Sequence, residues 1–281
     1  SPRRPGRAPS ALAALCLAGI VVSGDARVMS PLLPAIGRDF GVSAGSAGLV
    51  VTAYLAPYAA CQLLYGPFGD RHGKLWTIRV SLLLFSIATA LCAAAPSLVA
   101  LAVLRGITGL CAAACVPMGL AYLGDTVPYE RRQHAIGLLL SAMMVGQATS
   151  QALGGVLGSV ISWRAIFLVL AATGAVAVAM LWRLPTDPGR RDAHGHLRPY
   201  LDVARRGPAF FVAVGVEGAL FLGGFTYLGA LMRDVHGTSY AVIGVILALY
   251  GVGAYGAARA TRGRSSVGRE HVRLLAGSLV M

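Results

Sequence analysis

The chain has 281 residues, of which 56% are apolar and only 12% are charged. Because a soluble domain usually carries about 25% charged residues, this composition argues against a soluble domain and is typical of an integral membrane protein. The net charge of +13 could indicate nucleic-acid binding, but that function needs a soluble module with a clustered basic face. The sequence offers no such module, so the expected partner is a lipid bilayer and not nucleic acid.

Apolar runs long enough to cross a ~30 Å hydrocarbon layer as helices follow one another along the chain. Eight are complete: residues 10–34, 46–65, 75–95, 97–123, 135–160, 163–183, 208–231 and 239–258. A ninth begins near residue 272. The first run is too long for a signal peptide, and further spans follow it. The sequence therefore predicts an all-α membrane protein with about eight complete transmembrane helices and the start of a ninth.

The basic residues of the connections indicate how these helices are oriented. When the connections are numbered from the N-terminus, the odd ones hold nineteen Arg and Lys residues and the even ones hold three. Since Arg and Lys are enriched in cytoplasmic loops, the N-terminus is expected in the cytoplasm. Because the chain is also rich in Arg, Ala and Gly, we expect a multi-pass protein of a bacterial inner (plasma) membrane.

Residues 184–207 differ from their surroundings because they are rich in Pro, Gly and Arg. Such a composition is typical of a linker. We therefore divide the chain into an N-terminal six-helix transmembrane half (1–183), a cytoplasmic linker (184–207) and an incomplete C-terminal transmembrane half (208–281).

An internal repeat supports this division. Arg38-Asp39 at the end of helix 1 recurs as Arg233-Asp234 at the end of helix 7, and Tyr54 and Tyr250 follow at matching points of helices 2 and 8. A parallel repeat of two six-helix halves would produce this spacing.

A short charged segment, Gly66-Pro67-Phe68-Gly69-Asp70-Arg71-His72-Gly73-Lys74, separates the second run from the third. We expect the whole segment to form a tight turn, because its glycines permit a sharp reversal and close helix approach. Its charged residues place both signs at one helix end, where they can interact with the helix dipole.

This segment resembles the signature loop between helices 2 and 3 of the major facilitator superfamily of secondary transporters, G-x-x-x-D-R-x-G-[RK]. The match comprises Gly66, Asp70, Arg71, Gly73 and Lys74. Three further segments resemble that family in the right order: Arg105-Gly106-x-x-Gly109, Pro128-x-x-Arg131-Arg132 and Trp163-Arg164-x-x-Phe167. Asp25 followed by Pro31-Leu32-Leu33-Pro34 resembles helix 1 of its drug:proton antiporter branch, which includes multidrug and sugar efflux proteins.

The resemblance implies a major facilitator-type helical bundle with 3+3 repeats in the N-terminal half. It also implies secondary active transport with a proton gradient as the energy source, no cofactor, no metal, and a monomer in the full-length form. In this family Asp70 and Arg71 would lock the two halves on the cytoplasmic side, and Gly66 and Gly73 would permit the turn. A positive-inside anchor with a helix cap is the alternative function of the segment.

Two features depart from the family pattern. Helix 5 carries Ser150-Gln151 where the antiporter motif has Gly-Pro. Family members usually have twelve helices, so we expect the chain to be a fragment or a truncated product.

Four ionisable residues lie within the predicted spans: Asp25, Arg27, Arg105 and Glu217. Charges in hydrocarbon are costly and are functional candidates by default. At ~1.5 Å of rise per residue, Asp25 in helix 1 and Arg105 in helix 4 both lie roughly 12–14 Å below the outer surface. We hypothesise that Asp25 binds a proton or a cationic substrate in a central cavity and that Arg105 sets its pKa. A static ion pair joining helices 1 and 4 is the alternative.

The other candidates have open alternatives. Arg27 could extend to the outer surface. Glu217 could be a second carboxylate in the cavity or the partner of a helix outside the chain. Tyr54 and Gln147 are the best candidates among the polar residues that could line the cavity, although helix–helix hydrogen bonding would also explain them.

The leading hypothesis is a secondary active transporter that moves a small solute by alternating access, as proton-coupled efflux of a drug-like compound or sugar. Its partners would be the small-molecule substrate and protons. A metabolite uniporter or symporter, and a fragment that does not transport, are the alternatives. We do not expect an enzyme, because the sequence offers no nucleotide-binding loop, His-rich metal cluster or pair of catalytic carboxylates.

Overall fold

The computed structural model describes residues 8–185 and 207–247, with residues 249 and 253 in addition. This part of the chain is helical, with short turns and no strand. Its α-helices are α1 (Ala8–Arg27), α2 (Leu33–Asp39), α3 (Ala44–Ala47), α4 (Leu49–His72), α5 (Lys74–Ala93), α6 (Leu98–Ala112), α7 (Cys115–Thr126), α8 (Tyr129–Val160), α9 (Trp163–Trp182) and α10 (Pro208–His236). A 3-10 turn, Ser30–Leu32, joins α1 to α2, and residues 240–247 are helical beyond α10.

Seven segments of the described chain are long and apolar enough to cross a membrane as helices. They are Ser10–Asp39, Ala44–Gln62, Lys74–Ala93, Leu98–Thr126, Tyr129–Leu157, Trp163–Trp182 and Gly215–His236. These segments coincide with the first seven predicted runs, and the all-α membrane class is confirmed. The eighth predicted run is described only in part. The ninth run, most of the linker and Tyr250 lie outside the described residues.

The first span is interrupted because two prolines follow closely on α1. Pro31 lies in the 3-10 turn and Pro34 at the start of α2. Proline has no backbone N–H and cannot continue the hydrogen-bond ladder of a preceding helix. The chain therefore leaves α1 at Arg27 and resumes as α2 with a tightened turn between them.

The helices of residues 8–185, which we call the first half, pack as pairs around two apolar clusters. α1 packs against α8 and α9, α4 against α6, and α5 against α6 and α9. One cluster lies near Gly73 and includes Leu75 and Leu181, and the other lies near Arg38 and includes Leu33 and Phe167. We call these two ends of the bundle the Gly73 end and the Arg38 end.

The predicted turn at residues 66–74 is much shorter than expected. Helix α4 continues through Gly66, Pro67 and Gly69 to His72, and α5 begins at Lys74. The reversal falls on Gly73 alone, whose φ of 98° lies in a region that side chains other than glycine rarely adopt. A proline inside a membrane helix is tolerated where neighbouring helices satisfy the freed backbone. Gly69 permits close packing, because a Cβ atom there would lie 2.1 Å from the Met118 sulfur.

Helices α4 and α6 cross at Gly109, and this crossing holds Tyr54 in place. A Cβ atom on Gly109 would lie 2.1 Å from the Tyr54 carbonyl oxygen, which is backbone and cannot rotate away. We expect Gly109→Ala to lower the unfolding free energy by about 1–3 kcal/mol, the usual cost of overpacking. The measurement is thermal unfolding of the purified protein in detergent.

The matched control is Gly124→Ala on α7. A Cβ atom at Gly124 would meet nothing within 4 Å, so that variant is expected to unfold at the temperature of the native protein. Equal unfolding temperatures for the two variants would contradict the proposed crossing.

Residues 207–247, which we call the second half, contact the first half at the Arg38 end. The Ser30 hydroxyl donates hydrogen bonds to the carbonyl oxygens of Phe225 and Thr226, each at 2.9 Å. Backbone atoms also approach closely, because a Cβ atom on Gly229 would lie 2.6 Å from the Ser30 carbonyl oxygen. A Cβ atom on Gly155 would lie 2.3 Å from the Tyr240 carbonyl oxygen. The two halves are thus in direct contact at this end.

Candidate functional site

Two fully buried charged residues, Asp25 and Arg105, face each other between the two apolar clusters. The Arg105 Nη1 atom donates hydrogen bonds to both carboxylate oxygens of Asp25, at 2.8 Å to Oδ1 and 2.7 Å to Oδ2. The Nη2 atom donates to the Asp25 backbone carbonyl at 3.3 Å. The pair joins α1 to α6 and has no net charge while both groups are ionised.

Aromatic rings enclose the guanidinium group. The Arg105 Cζ atom lies 4.2 Å from the centre of the Tyr54 ring on α4 and 5.9 Å from that of Phe167 on α9. A cation over the face of an aromatic ring is stabilised by about 0.5–2 kcal/mol. Four helices (α1, α4, α6 and α9) therefore contribute to one buried site.

Two polar atoms of this site have no hydrogen-bond partner among the described residues: the Arg105 Nε atom and the Tyr54 hydroxyl. Most buried polar atoms in proteins are hydrogen-bonded. This unused capacity favours a site that accepts a further polar group over an ion pair with a purely structural role.

The structure brings Asp25, Arg105 and Tyr54 together; the depth argument had been made for Asp25 and Arg105 alone. All three side chains are fully buried in the structure. The physical reason is the close packing of α4 on α6 at Gly109, which presses Tyr54 onto the guanidinium group and excludes open space.

The remaining predicted binding residues lie outside this pair. Gln147 is half-buried on α8, where its backbone carbonyl accepts a hydrogen bond from the side-chain amide of Gln151 at 3.1 Å. Glu217 is exposed on α10, so the described part of the chain does not bury it beside Asp25.

The signature segment, residues 66–74, forms a charged cluster at the Gly73 end. The Lys74 ammonium group lies 3.7 Å from the Asp70 carboxylate and forms a closer ion pair with Asp125 at the end of α7. Arg71 is exposed. Lys74 therefore joins the ends of α4 and α7 beside the Gly73 reversal. Sequence reasoning did not identify Asp125 as part of this cluster. The only feature that could have indicated it is the position of a carboxylate just after the apolar run 97–123.

A second cluster lies at the Arg38 end, where sequence reasoning identified the Arg-Asp repeat and the Trp163-Arg164 segment but not the contacts between them. Asp39 pairs with Arg164 and accepts a hydrogen bond from the Trp163 indole at 3.1 Å. Arg38 donates a hydrogen bond to the Tyr240 hydroxyl, which belongs to the second half. The Arg38 Cζ and Arg233 Cζ atoms lie 5.3 Å and 4.9 Å from the centre of the Tyr240 ring.

A bundle of helices long and apolar enough to cross a membrane, with a buried ion pair between them, has the architecture of a multi-pass membrane protein. Residues 15–281 match the family model described as Major Facilitator Superfamily. The chain belongs to this family, whose members are transporters and not enzymes.

Named relatives agree with this assignment. The chain is 27% identical over 276 residues to the inner membrane transport protein YnfM of Escherichia coli (strain K12), covering 93% of the chain and 64% of YnfM. It is 30% identical over 184 residues to the efflux pump aflT of Aspergillus parasiticus, covering 64% of the chain and 35% of aflT.

The fold is similar to that of a bacterial homologue of the human lysosomal transporter Spinster, crystallised in an inward-facing and unoccupied conformation. The TM-score is 0.73 at 22% identity, and the alignment covers 91% of the chain and 62% of the homologue. The chain thus spans less than two thirds of the length of YnfM and of this homologue.

Proposed function

We propose that this protein exports a drug-like compound or a sugar in exchange for protons, by alternating access between the two sides of the membrane. Similarity to an efflux pump favours export. The observation that carries the proposal is the fully buried Asp25–Arg105 pair, because charges within a membrane span are costly and are kept for ion or substrate pathways.

The pair offers a way to couple a proton to movement. Adding a proton to the Asp25 carboxylate makes it neutral and removes the Coulomb attraction that holds it to Arg105. The protonated site then no longer binds the solute. Loss of the proton restores the charge on Asp25, and the ionised pair, with the Tyr54 hydroxyl and Arg105 Nε atom beside it that have no partner among the described residues, binds a polar group of the solute. Proton and solute thus occupy the site in turn, as an exchange requires.

The proposed orientation has the N-terminus and the Gly73 end in the cytoplasm, since nineteen basic residues lie in the connections of that side. In this orientation the contacts at the Arg38 end close the external side. We assign residues 1–183 and 208–281 to two transmembrane halves joined by a cytoplasmic linker at 184–207. When the protein switches its opening from the cytoplasmic to the external side, the contacts at the Arg38 end would break and contacts at the Gly73 end would form.

The cluster at the Gly73 end is proposed as the cytoplasmic gate, as the family resemblance implies for Asp70 and Arg71. Lys74 and Asp125 are added to it by their ion pair. Because the Asp70 and Asp125 side chains are 50% and 59% exposed, the cluster adds little to stability. Its carboxylates are therefore accessible to the second half when the cytoplasmic side closes.

We expect Asp25→Asn to abolish the dependence of export on the pH gradient. The intact protein would be reconstituted in vesicles with a panel of amphiphilic dyes and sugars, and solute movement would be followed with and without an imposed pH gradient. A solute could still equilibrate across the membrane, but the gradient would no longer drive its accumulation.

The matched control is Glu130→Gln, which neutralises an exposed carboxylate in the first turn of α8. That variant is expected to respond to the gradient as the native protein does. Unchanged gradient-driven accumulation by Asp25→Asn would contradict the proposed proton site.

A further inference from the structure

The interface at the Arg38 end contains a cavity to which both halves contribute. It is about 210 Å³ in volume and is lined by Pro34, Arg38, Val42, Ala44, Arg233, Asp234 and Tyr240. The first four residues come from the first half and the last three from the second. A molecule bound there would contact both halves at once, and only while they are together.

The charges around this cavity are not balanced within the described residues. Arg38 and Arg233 both point their guanidinium groups at the Tyr240 ring, and neither forms an ion pair in residues 8–185 or 207–247. Because these Cζ atoms lie 5.3 Å and 4.9 Å from the same ring centre, they are at most about 10 Å apart. Asp234 supplies a single carboxylate to the lining, which leaves an excess of one positive charge.

The other nearby carboxylate does not correct this excess. Asp39 follows Arg38 in the sequence, but it is held by Arg164 and by the Trp163 indole. Arg38 keeps its hydrogen bond to the Tyr240 hydroxyl. Arg233 donates through Nη1 to the carbonyl oxygens of Gly237 and Thr238, at 3.2 Å and 3.0 Å. A guanidinium group has five N–H donors, so each arginine can still bind a further acceptor.

We propose that this cavity binds a small oxyanion, a carboxylate or a phosphate group, which bridges Arg38 and Arg233 and holds the two halves together at the Arg38 end. Guanidinium groups match planar carboxylates and phosphates through paired hydrogen bonds. The anion binds when the cavity is assembled and is released when the halves separate. It therefore stabilises the state that is closed at this end, by the linkage between binding and conformation.

This inference goes beyond the proposed export reaction and does not depend on proton coupling. It needs only that the halves separate at the Arg38 end, which is a part of alternating access. The phosphate could come from solution or from the headgroup of an anionic lipid, since the chemistry of recognition is the same.

The test measures the distance between the halves and not transport. Spin labels would be attached at Ser46→Cys and His236→Cys, two exposed positions on opposite halves, in an otherwise cysteine-free intact protein. The distance distribution would be recorded in phosphatidylcholine vesicles at constant pH while inorganic phosphate replaces chloride at constant ionic strength. A parallel arm would use phosphatidylglycerol-containing vesicles without added phosphate.

We expect the ratio of closed to open populations to rise at least threefold with phosphate, with the lipid, or with both. Arg38→Gln and Arg233→Gln should each remove this response, whatever their starting ratio. Arg131→Gln, which removes an exposed arginine near the start of α8, should keep it.

A response in the phosphate arm alone identifies a soluble anion, and a response in the lipid arm alone identifies a headgroup. No response in either arm, or an equal response in the Arg38 and Arg233 variants, would overturn the proposal. The outcome is independent of the Asp25→Asn experiment, because neither a solute nor a pH gradient is present.

Discussion

Replacing Arg105 with methionine is expected to lower the unfolding free energy by about 3–5 kcal/mol, the usual cost of leaving one buried charge without its partner. Asp25 would lose three hydrogen bonds from the guanidinium group, two to its carboxylate and one to its backbone carbonyl, and the fully buried carboxylate would be left without its partner. The measurement is thermal unfolding in a fixed detergent, together with the fraction of protein that elutes as a single species.

The informative control is the double variant Asp25→Asn with Arg105→Met. It removes both charges together, and replacement of a buried pair by neutral groups of similar volume is often harmless to stability. We expect it to unfold close to the native temperature and to lack gradient-driven transport. A double variant as unstable as Arg105→Met alone would show that the ion pair is not the source of the loss.

The sequence predicted the depth of this pair but not its surroundings. A rise of ~1.5 Å per residue placed Asp25 and Arg105 at one level, and the structure pairs them. It gives no information on which way each side chain points around its helix. The stacking of Tyr54 on the guanidinium group therefore became visible only with the packing of α4 on α6.

The signature segment illustrates a different limit. Its residues identified the family correctly, yet the glycines at 66 and 69 and the proline at 67 suggested a turn where α4 continues to His72. Single-residue preferences favour a turn there, but the packed helices of a membrane bundle satisfy the backbone and override them. The partners that join distant parts, such as Asp125 for Lys74 and Tyr240 for Arg38, depend on tertiary packing and could not be read from spacing.

Replacing Gly155 with leucine is expected to keep the two halves apart at the Arg38 end. A Cβ atom there would lie 2.3 Å from the Tyr240 carbonyl oxygen and 2.9 Å from the Gly244 Cα atom, and both are backbone atoms. Overpacking costs about 1–3 kcal/mol. If this cost acts only on the state closed at the Arg38 end, the ratio of closed to open populations would fall about 5–150-fold. Transport should fall accordingly, because a protein held open at one end cannot complete its cycle.

The measurement is the Ser46-to-His236 label distance, which should lengthen. The matched control is Gly224→Leu on α10, where a Cβ atom would meet nothing within 4 Å; its label distance should stay at the native value. A native distance distribution and full transport in Gly155→Leu would show that the close approach of Gly155 to the second half is not needed for closure.

The buried pair also has an electrical consequence. With both groups ionised, the site adds no net charge to the conformational step that changes its access from one side of the membrane to the other. With a proton on Asp25, the same step carries the single positive charge of Arg105. One charge moved through the full membrane potential is worth about 2.3 kcal/mol per 100 mV. The membrane voltage would therefore act on the protonated half of the cycle and leave the other half almost unaffected.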